Sequence, residues 1–254
     1  MKQQNLLALA ATLALLVAAT AAAQPVFREN FAGDTPAGRL FPAEPTPGDC
    51  NGWYAPDNTD DSVNGSRPHV WTWGLAKDKL KMAALFQSRA EAEQQRWLLR
   101  KLTTGGPLAE GRSIANPKLT ALFNMVWGGS TPDYHYNLAL LDDTGNGYVA
   151  QLSRAGAIIL YRLDNGLTGG WTILGTKTTE HKFNTILISL HVADGKVTVS
   201  SKLVTMKNIP GPELVEADAA YTRFTTIGVA GLGLRDAIDI RIRDVTLEGQ
   251  VVSK

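Results

Sequence analysis

The chain has 254 residues, with 25 Lys and Arg against 24 Asp and Glu, which gives a formal net charge of +1. The basic residues form no block or stripe, so the sequence lacks the electrostatic pattern of a nucleic-acid-binding protein. Its single cysteine, Cys50, excludes an intrachain disulfide, so stability must come from an ordinary hydrophobic core.

The first 23 residues have the pattern of a secretory signal peptide. Lys2 supplies the positive start, residues 6–19 are almost continuously apolar, and Ala21 to Ala23 form an A-x-A cleavage site. The apolar stretch is shorter than the about 20 residues of a transmembrane span, and no later segment reaches that length. We therefore predict a secreted or periplasmic protein with no membrane span after signal removal. Residues 24–254 are expected to form one domain.

Residues 33–68 are rich in Gly, Pro, Asp and Asn and show no sustained apolar period, which predicts a long loop with at most short strands. Within it, "DNTDDSVNG" (57–65) contains three carboxylates, of the kind that calcium prefers. Asp57, Asp60 and Asp61 are therefore candidate ligands of a structural calcium ion. Their spacing is not that of an EF-hand, and a solvated turn is the alternative.

The segment 88–102 has helical composition at its start. Its second half, "RWLLRKL" (96–102), also suits a strand, and we predict a strand there.

Most of the remaining sequence alternates with a period of two. "KLTALFNMVW" (118–127) places Leu119, Ala121 and Phe123 on one face, and "YNLALLDD" (136–143) repeats the pattern. "DDTGNG" (142–147) is a turn that joins this strand to "YVAQLSR" (148–154), which predicts a hairpin. Further strands are predicted over 157–163, 185–193, 196–201 and 226–234, with a tight turn at "ADG" (193–195). Many short strands at regular spacing predict an all-β, antiparallel two-sheet sandwich.

Four stretches carry a resemblance to a known family: "FRENFAG", "LLDDTGNGYVAQLS", "FNTILISLHVADGKVTVSS" and "IDIRIRDVTLEG". In these the chain resembles the concanavalin A-like lectins and glucanases, particularly the laminin G-like jelly rolls of secreted bacterial proteins. The resemblance covers about positions 26 to 249 in outline and implies a jelly-roll fold. It does not by itself imply an activity.

The hydrolases of this family carry a Glu-x-Asp-x-Glu strand, whose two glutamates act as nucleophile and acid/base. Retaining glycosidases need such a pair of carboxyl groups about 5–5.5 Å apart. In "AIDIRIRDV" (237–245) the matching positions are Ala237, Asp239 and Arg241, so both catalytic positions lack a carboxyl group. The resemblance therefore does not extend to this catalysis.

The same stretch fits the closing strand of a sandwich. Alternation predicts Ile238, Ile240 and Ile242 in the core, with Asp239 and Arg241 facing solvent or a polar neighbour. The apolar period then shifts to Val245 and Leu247, which predicts a β-bulge near Arg243 and Asp244. Pairing with the first strand would bring Arg28 or Glu29 beside Asp239 or Arg241 as cross-strand ion pairs.

Aromatic residues supply the candidate ligand-binding positions. Trp and Tyr rings stack on the C–H faces of sugars, while neighbouring polar groups bind the hydroxyls. Burial in the core is the alternative for each ring. The candidates are Trp71, Trp73, Trp127, Tyr134, His135 and Tyr136.

The sequence predicts a secreted, non-catalytic jelly-roll module that binds a polysaccharide or another glycan-bearing surface. One alternative is a polysaccharide hydrolase or lyase of the same fold with a displaced active site, which would use acids such as Asp142, Asp143 and Glu180. The other is a structural or adhesion module that binds protein. A G-x-S-x-G nucleophile elbow and a phosphate-binding loop are both absent from the sequence.

Overall fold

A computed structural model describes residues 25–31, 41–46, 49–56, 69–73, 80–87, 96–128, 134–178, 185–204, 209–233 and 238–254. Within these ranges the chain contains strands and one short 3-10 turn, Cys50–Gly52, and no α-helix. The strands are β1 (Phe27–Glu29), β2 (Trp53–Tyr54), β3 (His69–Trp73), β4 (Leu80–Gln87), β5 (Arg96–Lys101), β6 (Arg112–Gly128), β7 (Tyr134–Leu141), β8 (Gly147–Ser153), β9 (Ile158–Leu163), β10 (Trp171–Lys177), β11 (Thr185–Ala193), β12 (Lys196–Leu203), β13 (Ile209–Ala217), β14 (Thr226–Gly233) and β15 (Ile238–Ser253).

The strands form two antiparallel sheets. An eight-stranded sheet has the order β13-β12-β11-β6-β15-β4-β3, with β1 added beside β15. A seven-stranded sheet has the order β10-β9-β8-β7-β14-β5-β2. The two sheets pack as a jelly-roll β-sandwich, which confirms the predicted fold class.

The main core lies between the sheets and is built by the predicted alternation. Leu119, Ala121 and Phe123 of β6 are fully buried in it, as are Leu138 and Leu140 of β7. Complete burial of a Leu or Phe side chain contributes roughly 1.5–3 kcal/mol. Burial of these side chains sets the register of both strands, because a slip of one residue would expose all of them.

Both predicted hairpin turns are confirmed. In the β7–β8 turn, Asp142 Oδ1 accepts hydrogen bonds from the backbone N–H groups of Thr144 and Asn146 at 2.9 and 3.0 Å. In the β11–β12 turn, Asp194 and Gly195 have φ values of 52° and 69°, the left-handed conformation that a tight hairpin turn requires.

β15 lies in the middle of the eight-stranded sheet, between β6 and β4. Ile240 and Ile242 face the core, and the predicted bulge is confirmed by a register shift after Arg243 and by a φ of 52° at Asp244. Of the two surroundings expected for Arg241, solvent or a polar neighbour, burial excludes solvent, since only 5% of the residue is exposed.

The predicted pairing of the first strand with β15 is confirmed, but its register is different. Arg28 and Glu29 pair with Thr246 and Val245, beyond the bulge. The expected ion pairs with Asp239 or Arg241 are therefore wrong. Glu29 instead accepts hydrogen bonds from the Phe31 N–H and from Asn51 Nδ2.

Two edge strands were not predicted. β13, "IPGPELVEA", contains Pro210 and Pro212, and it lies at the edge of its sheet, where a missing N–H is tolerated. β10 forms one edge of the other sheet, and Lys177 Nζ in β10 donates to the Glu213 carbonyl in β13 at 2.8 Å. Both strands are mostly exposed on one face, so they lack the strong apolar alternation of the inner strands.

The predicted strand in "RWLLRKL" is confirmed as β5, whereas residues 88–95 lie outside the described residues. In the predicted long loop, the described residues form only the 3-10 turn and the two-residue strand β2. None of the described ranges contains a helix of the length and hydrophobicity needed to cross a membrane.

Candidate functional site

The three tryptophans predicted to bind a ligand lie in the eight-stranded sheet. Trp71 and Trp73 are in the edge strand β3, paired with Met82 and Leu80 of β4. Trp127 is near the end of β6 and pairs with Asp239 of β15. The structure describes only the backbone at these three positions. That these tryptophans bind a ligand therefore stays a prediction.

The two predicted tyrosines lie in the core. Tyr134 is 1% exposed and Tyr136 is 0% exposed, and the two rings contact each other edge to face with centroids 5.8 Å apart. Tyr136 also packs against Phe123 of the opposite sheet, with centroids 5.3 Å apart. Burial raises the pKa of Tyr134 to about 12, although the charge of Arg154 opposes the shift. These rings stabilise the contact between the two sheets.

His135 lies between these tyrosines in β7 and therefore points to the other face of the seven-stranded sheet. Its cross-strand neighbours there are Ser153 of β8 and Leu232 of β14. The imidazole is half-buried. Of the three consecutive residues, His135 alone belongs to the outer face.

This outer face carries aromatic and amide side chains that the sequence did not indicate. One cross-strand row runs from Trp97 of β5 through Ala230 of β14 to Asn137 of β7 and Gln151 of β8. The next row contains Tyr161 of β9. Polar and aromatic groups therefore share one region of the sheet.

The outer face is concave. Trp97 and Trp171 lie on strands five steps apart, which would separate them by about 24 Å on a flat sheet. Their ring centroids are only 6.4 Å apart, and Trp171 also contacts Tyr161 edge to face at 5.2 Å. The sheet must curl strongly for one indole to reach both rings. We call Trp97, Tyr161 and Trp171 the aromatic patch.

The loop before β10 holds Trp171 over the sheet. Gly166 has a φ of 69°, and its N–H donates to Asn146 Oδ1 at 3.0 Å, which ties this loop to the β7–β8 turn. The Trp171 indole Nε1–H donates to the Leu167 carbonyl at 3.1 Å. Trp171 and Tyr161 are half-buried, so part of each ring remains accessible.

Small residues form the floor beneath the patch. A Cβ at Gly228 would lie 2.7 Å from Leu99 Cδ2 and 3.2 Å from both Ala139 Cβ and Trp97 Cε3, so any larger residue there would force these neighbours to shift. Ala139, Ala230 and neighbouring apolar side chains form a second buried apolar cluster under the rings. The curl of the sheet therefore produces a packed apolar floor and an aromatic surface above it.

Asn137 is the most unusual group on this face. It is 0% exposed, yet among the described residues neither its Nδ2 nor its Oδ1 has a hydrogen-bond partner. Its neighbour Gln151 accepts a hydrogen bond from the Tyr161 hydroxyl at 3.2 Å. A buried amide without partners costs about 1–3 kcal/mol, and such groups in native proteins commonly serve a ligand or an ordered water.

A separate polar network closes one end of the sandwich. Asp218 accepts hydrogen bonds from the Tyr148 hydroxyl, from the Ala220 N–H and from Arg162 Nη1. Burial alone would raise the pKa of Asp218, but these donors outweigh it and hold the pKa below the usual value. The network joins β8 and β9 to the segment after β13 and leaves the carboxylate well paired, which indicates a structural role.

The described residues bring no three His, Cys, Asp or Glu side chains together as a metal site. Asp57, Asp60 and Asp61 lie outside the described residues. Calcium therefore remains a prediction.

The tryptophans and tyrosine of the aromatic patch were missed because each sits singly in its strand. One signal was present in "YNLALL" (136–141), where Ala139 and Leu141 make the outer face mostly apolar as well. A strand at the surface of a sandwich needs one polar face, so an apolar outer face indicates that something covers it. The structure shows that this cover includes the patch rings.

Several solved structures share this architecture. The exoplasmic/lumenal domain of VIP36 in its metal-free form aligns with a TM-score of 0.51 and 12% identity, covering 84% of this chain and 92% of that one. Its Ca²⁺/Man2-bound form aligns with a TM-score of 0.50 and 12% identity, over 73% and 82%. The carbohydrate-binding module CBM66 from Bacillus subtilis aligns at 0.46 and 10% identity, over 84% and 100%.

No family model and no curated protein sequence matches the chain. At these identities the structural likeness shows the shared fold, a lectin-like β-sandwich, and the chemistry has to be argued from the chain's own residues.

Proposed function

We propose that the protein is a secreted, non-catalytic carbohydrate-binding module whose ligand binds on the concave face of the seven-stranded sheet. The observation that carries this proposal is the aromatic patch beside the buried amide of Asn137. Sugar rings need a flat apolar surface and convergent hydrogen-bonding groups at the same place. Both are present on this face, within three successive cross-strand rows.

The contribution of each group follows from its chemistry. The accessible parts of Trp171 and Tyr161 offer π-faces to sugar C–H groups, and the Trp171 indole is already oriented by its bond to Leu167. Asn137 supplies one acceptor and two donors, which suits the paired donor and acceptor character of vicinal hydroxyls, and because it is fully buried this contact requires the neighbouring rings to move aside. His135 is half-buried at the margin of the same face and provides a further polar contact.

The absence of catalysis in the proposal rests on the sequence. Ala237 and Arg241 occupy the positions at which the hydrolases of the resembled family carry glutamates. Neither side chain acts as a nucleophile or as an acid/base in glycoside cleavage. Secretion is proposed from the signal-peptide pattern of residues 1–23.

The VIP36 domain named above is known in a Ca²⁺/Man2-bound form. Carbohydrate as the ligand class for this chain is part of the proposal and is tested directly.

The test is a glycan array on the secreted form, followed by titration calorimetry with the best ligand. Trp171→Ala and Tyr161→Ala are expected to weaken binding at least tenfold. Val215→Ala is the control, because Val215 lies on edge strand β13 of the other sheet and is 47% exposed, and it should bind like the parent. A uniformly blank array, or equal binding by all four proteins, would refute the proposal.

The same titrations examine the positions predicted from the sequence. Trp71→Ala, Trp73→Ala and Trp127→Ala test whether the eight-stranded sheet contributes to binding. If these variants lose binding while Trp171→Ala retains it, the ligand site lies on that sheet instead. Repeating the array with calcium and with a chelator tests the calcium prediction for Asp57, Asp60 and Asp61.

A further inference from the structure

A pocket with charged and hydroxyl groups in its lining lies at one end of the sandwich, separate from the concave face. Its volume is about 310 Å³, near the lower limit of small-ligand sites, which span about 300–1,000 Å³. Ser113 of β6, Asp142 of the β7–β8 turn, Tyr221, Arg223 and Thr225 before β14, and Lys254 after β15 contribute to its lining. Four distant segments of the chain therefore meet there.

Backbone hydrogen bonds hold these segments in place. Ile114 and Phe224 exchange two hydrogen bonds of 2.8 and 3.0 Å, and the Thr225 N–H donates to the Leu141 carbonyl at 2.9 Å. The Lys254 N–H donates to the Gly111 carbonyl at 2.9 Å. The pocket is thus built on sheet-like pairing and is preorganised to receive a ligand.

The basic side of the pocket has spare capacity for an anion. Lys254 Nζ pairs with the Asp143 carboxylate at 3.0 Å. Arg223 donates from Nη1 to the Ser253 carbonyl at 3.1 Å, and no carboxylate in the described ranges pairs with it. A guanidinium has five N–H donors in a fork that matches a carboxylate, so most of the binding capacity of Arg223 is unused.

The opposite side offers acceptors for hydroxyl groups. Asp142 uses Oδ1 to accept bonds from Thr144 and Asn146, while its Oδ2 receives no donor from the described part of the chain. Ser113 is fully buried, and its Oγ lacks any hydrogen-bond partner among the residues that the structure describes. A buried hydroxyl without a partner costs free energy, so a ligand hydroxyl at this position would restore a bond.

From these contacts we infer that the pocket binds a sugar acid, a ligand that carries one carboxylate and several hydroxyl groups. The carboxylate pairs with Arg223, the hydroxyls donate to Asp142 Oδ2 and exchange hydrogen bonds with Ser113, and Tyr221 provides an apolar wall. A phosphate would place a more highly charged group beside the carboxylates of Asp142 and Asp143, which repel it. The inference goes beyond the proposed concave-face site and requires no contact there.

The test uses titration calorimetry of the secreted protein with galacturonate, glucuronate, galactose, gluconate and glutamate. A uronate ring is expected to bind at least tenfold more tightly than galactose, since the neutral sugar lacks the carboxylate. Tighter binding of gluconate than of the uronates would assign the site to open-chain sugar acids. Equal binding of galactose, or preferred binding of the amino acid glutamate, would overturn the inference.

Variants then locate the bound sugar acid. Arg223→Gln is expected to weaken binding at least tenfold and Ser113→Ala about threefold. Arg28→Gln removes the same charge at an exposed position of β1 and should have no effect. Trp171→Ala should leave uronate binding unchanged. Loss of uronate binding in Trp171→Ala with retention in Arg223→Gln would place the acid on the concave face and refute the pocket.

The two proposals fail separately. A blank array for neutral glycans with uronate binding that depends on Arg223 would reject the concave-face site and support the pocket. Neutral glycan binding that depends on Trp171, without any uronate binding, would do the reverse.

Discussion

Replacing Asn137 with leucine is expected to stabilise the protein and abolish ligand binding on the concave face. The amide is fully buried, and in the described structure both of its polar atoms lack partners. Burying such a group without compensation costs about 1–3 kcal/mol, whereas a leucine of similar branched shape has no polar group to satisfy. The neighbouring cluster of apolar side chains provides a suitable environment for it.

The expected gain is about 1–2 kcal/mol in the free energy of unfolding, because the larger leucine gives back part of the benefit through tighter packing. For a domain of this size, that corresponds to an increase in Tm of roughly 2–8 °C. Urea unfolding, followed by tryptophan fluorescence and by circular dichroism, measures the change. Titration with the glycan found on the array measures the loss of binding.

Gln151→Leu is the matched control. Gln151 lies beside Asn137 in the same cross-strand row, but its Oε1 accepts a hydrogen bond from Tyr161. Its replacement should lower the free energy of unfolding by about 0.5–1.5 kcal/mol, the net value of one hydrogen bond. If Asn137→Leu is instead destabilised by more than about 1 kcal/mol, the amide is paired in the free protein and the reasoning from its unpaired state is refuted.

Three further predictions concern the scaffold. Gly228→Ala should lower the free energy of unfolding by about 1–3 kcal/mol through overpacking of the concave floor. Gly170→Ala is the control, because the space around its Cα is open. It should change the free energy of unfolding by less than about 0.5 kcal/mol in the same urea titration. Tyr148→Phe should cost about 1.5–3 kcal/mol at pH 7, because its hydroxyl donates to the charged Asp218. Asp244→Val should cost about 1–2 kcal/mol, since a β-branched residue is strained at the positive φ of the bulge, and Asp244→Asn should be nearly neutral.

The Tyr148 prediction has a defined pH dependence. The folded pKa of Asp218 is lowered, so its contribution is fully present above the unfolded pKa of about 3.9 and is lost as the pH falls through the folded value. The difference between the parent and Tyr148→Phe should therefore be large at pH 7 and shrink in acid. A difference in the free energy of unfolding that stays constant from pH 7 into acid would contradict the assigned role of Asp218.

If Gly228→Ala leaves the free energy of unfolding unchanged, the close packing of the concave floor is contradicted.

The sequence predicts the parts of the fold that depend on local patterns. The inner strands alternate strongly because one face is buried between the sheets, and the turns at Asp142 and Asp194 use residues that tolerate left-handed backbone. The bulge at Asp244 was predictable because the apolar period shifts by one residue there. The register between distant strands was not predictable from local patterns. For this reason Glu29 was expected beside Asp239, whereas it lies beside Val245.

The candidate site depended on information that the sequence does not contain. Tyr134 and Tyr136 share one face of β7, and only the packing of the sheets shows that this face is the inner one. Trp97 and Trp171 are far apart in the chain, and they meet because the seven-stranded sheet curls, a property that results from the combined twist of many strands. The pocket around Arg223 likewise requires four segments whose proximity no local pattern records.

The central position of β15 has a consequence for how the molecule comes to be folded. Its long strand separates β6 from β4 and also pairs with β1, so the eight-stranded sheet has a gap at its centre until residues 238–253 have been synthesised. Strand pairing across nearly the whole chain length is slow, because a large loop must close before the contacts form. The eight-stranded sheet is therefore completed late, only after β15 has been added between strands that precede it by more than 100 residues in the chain.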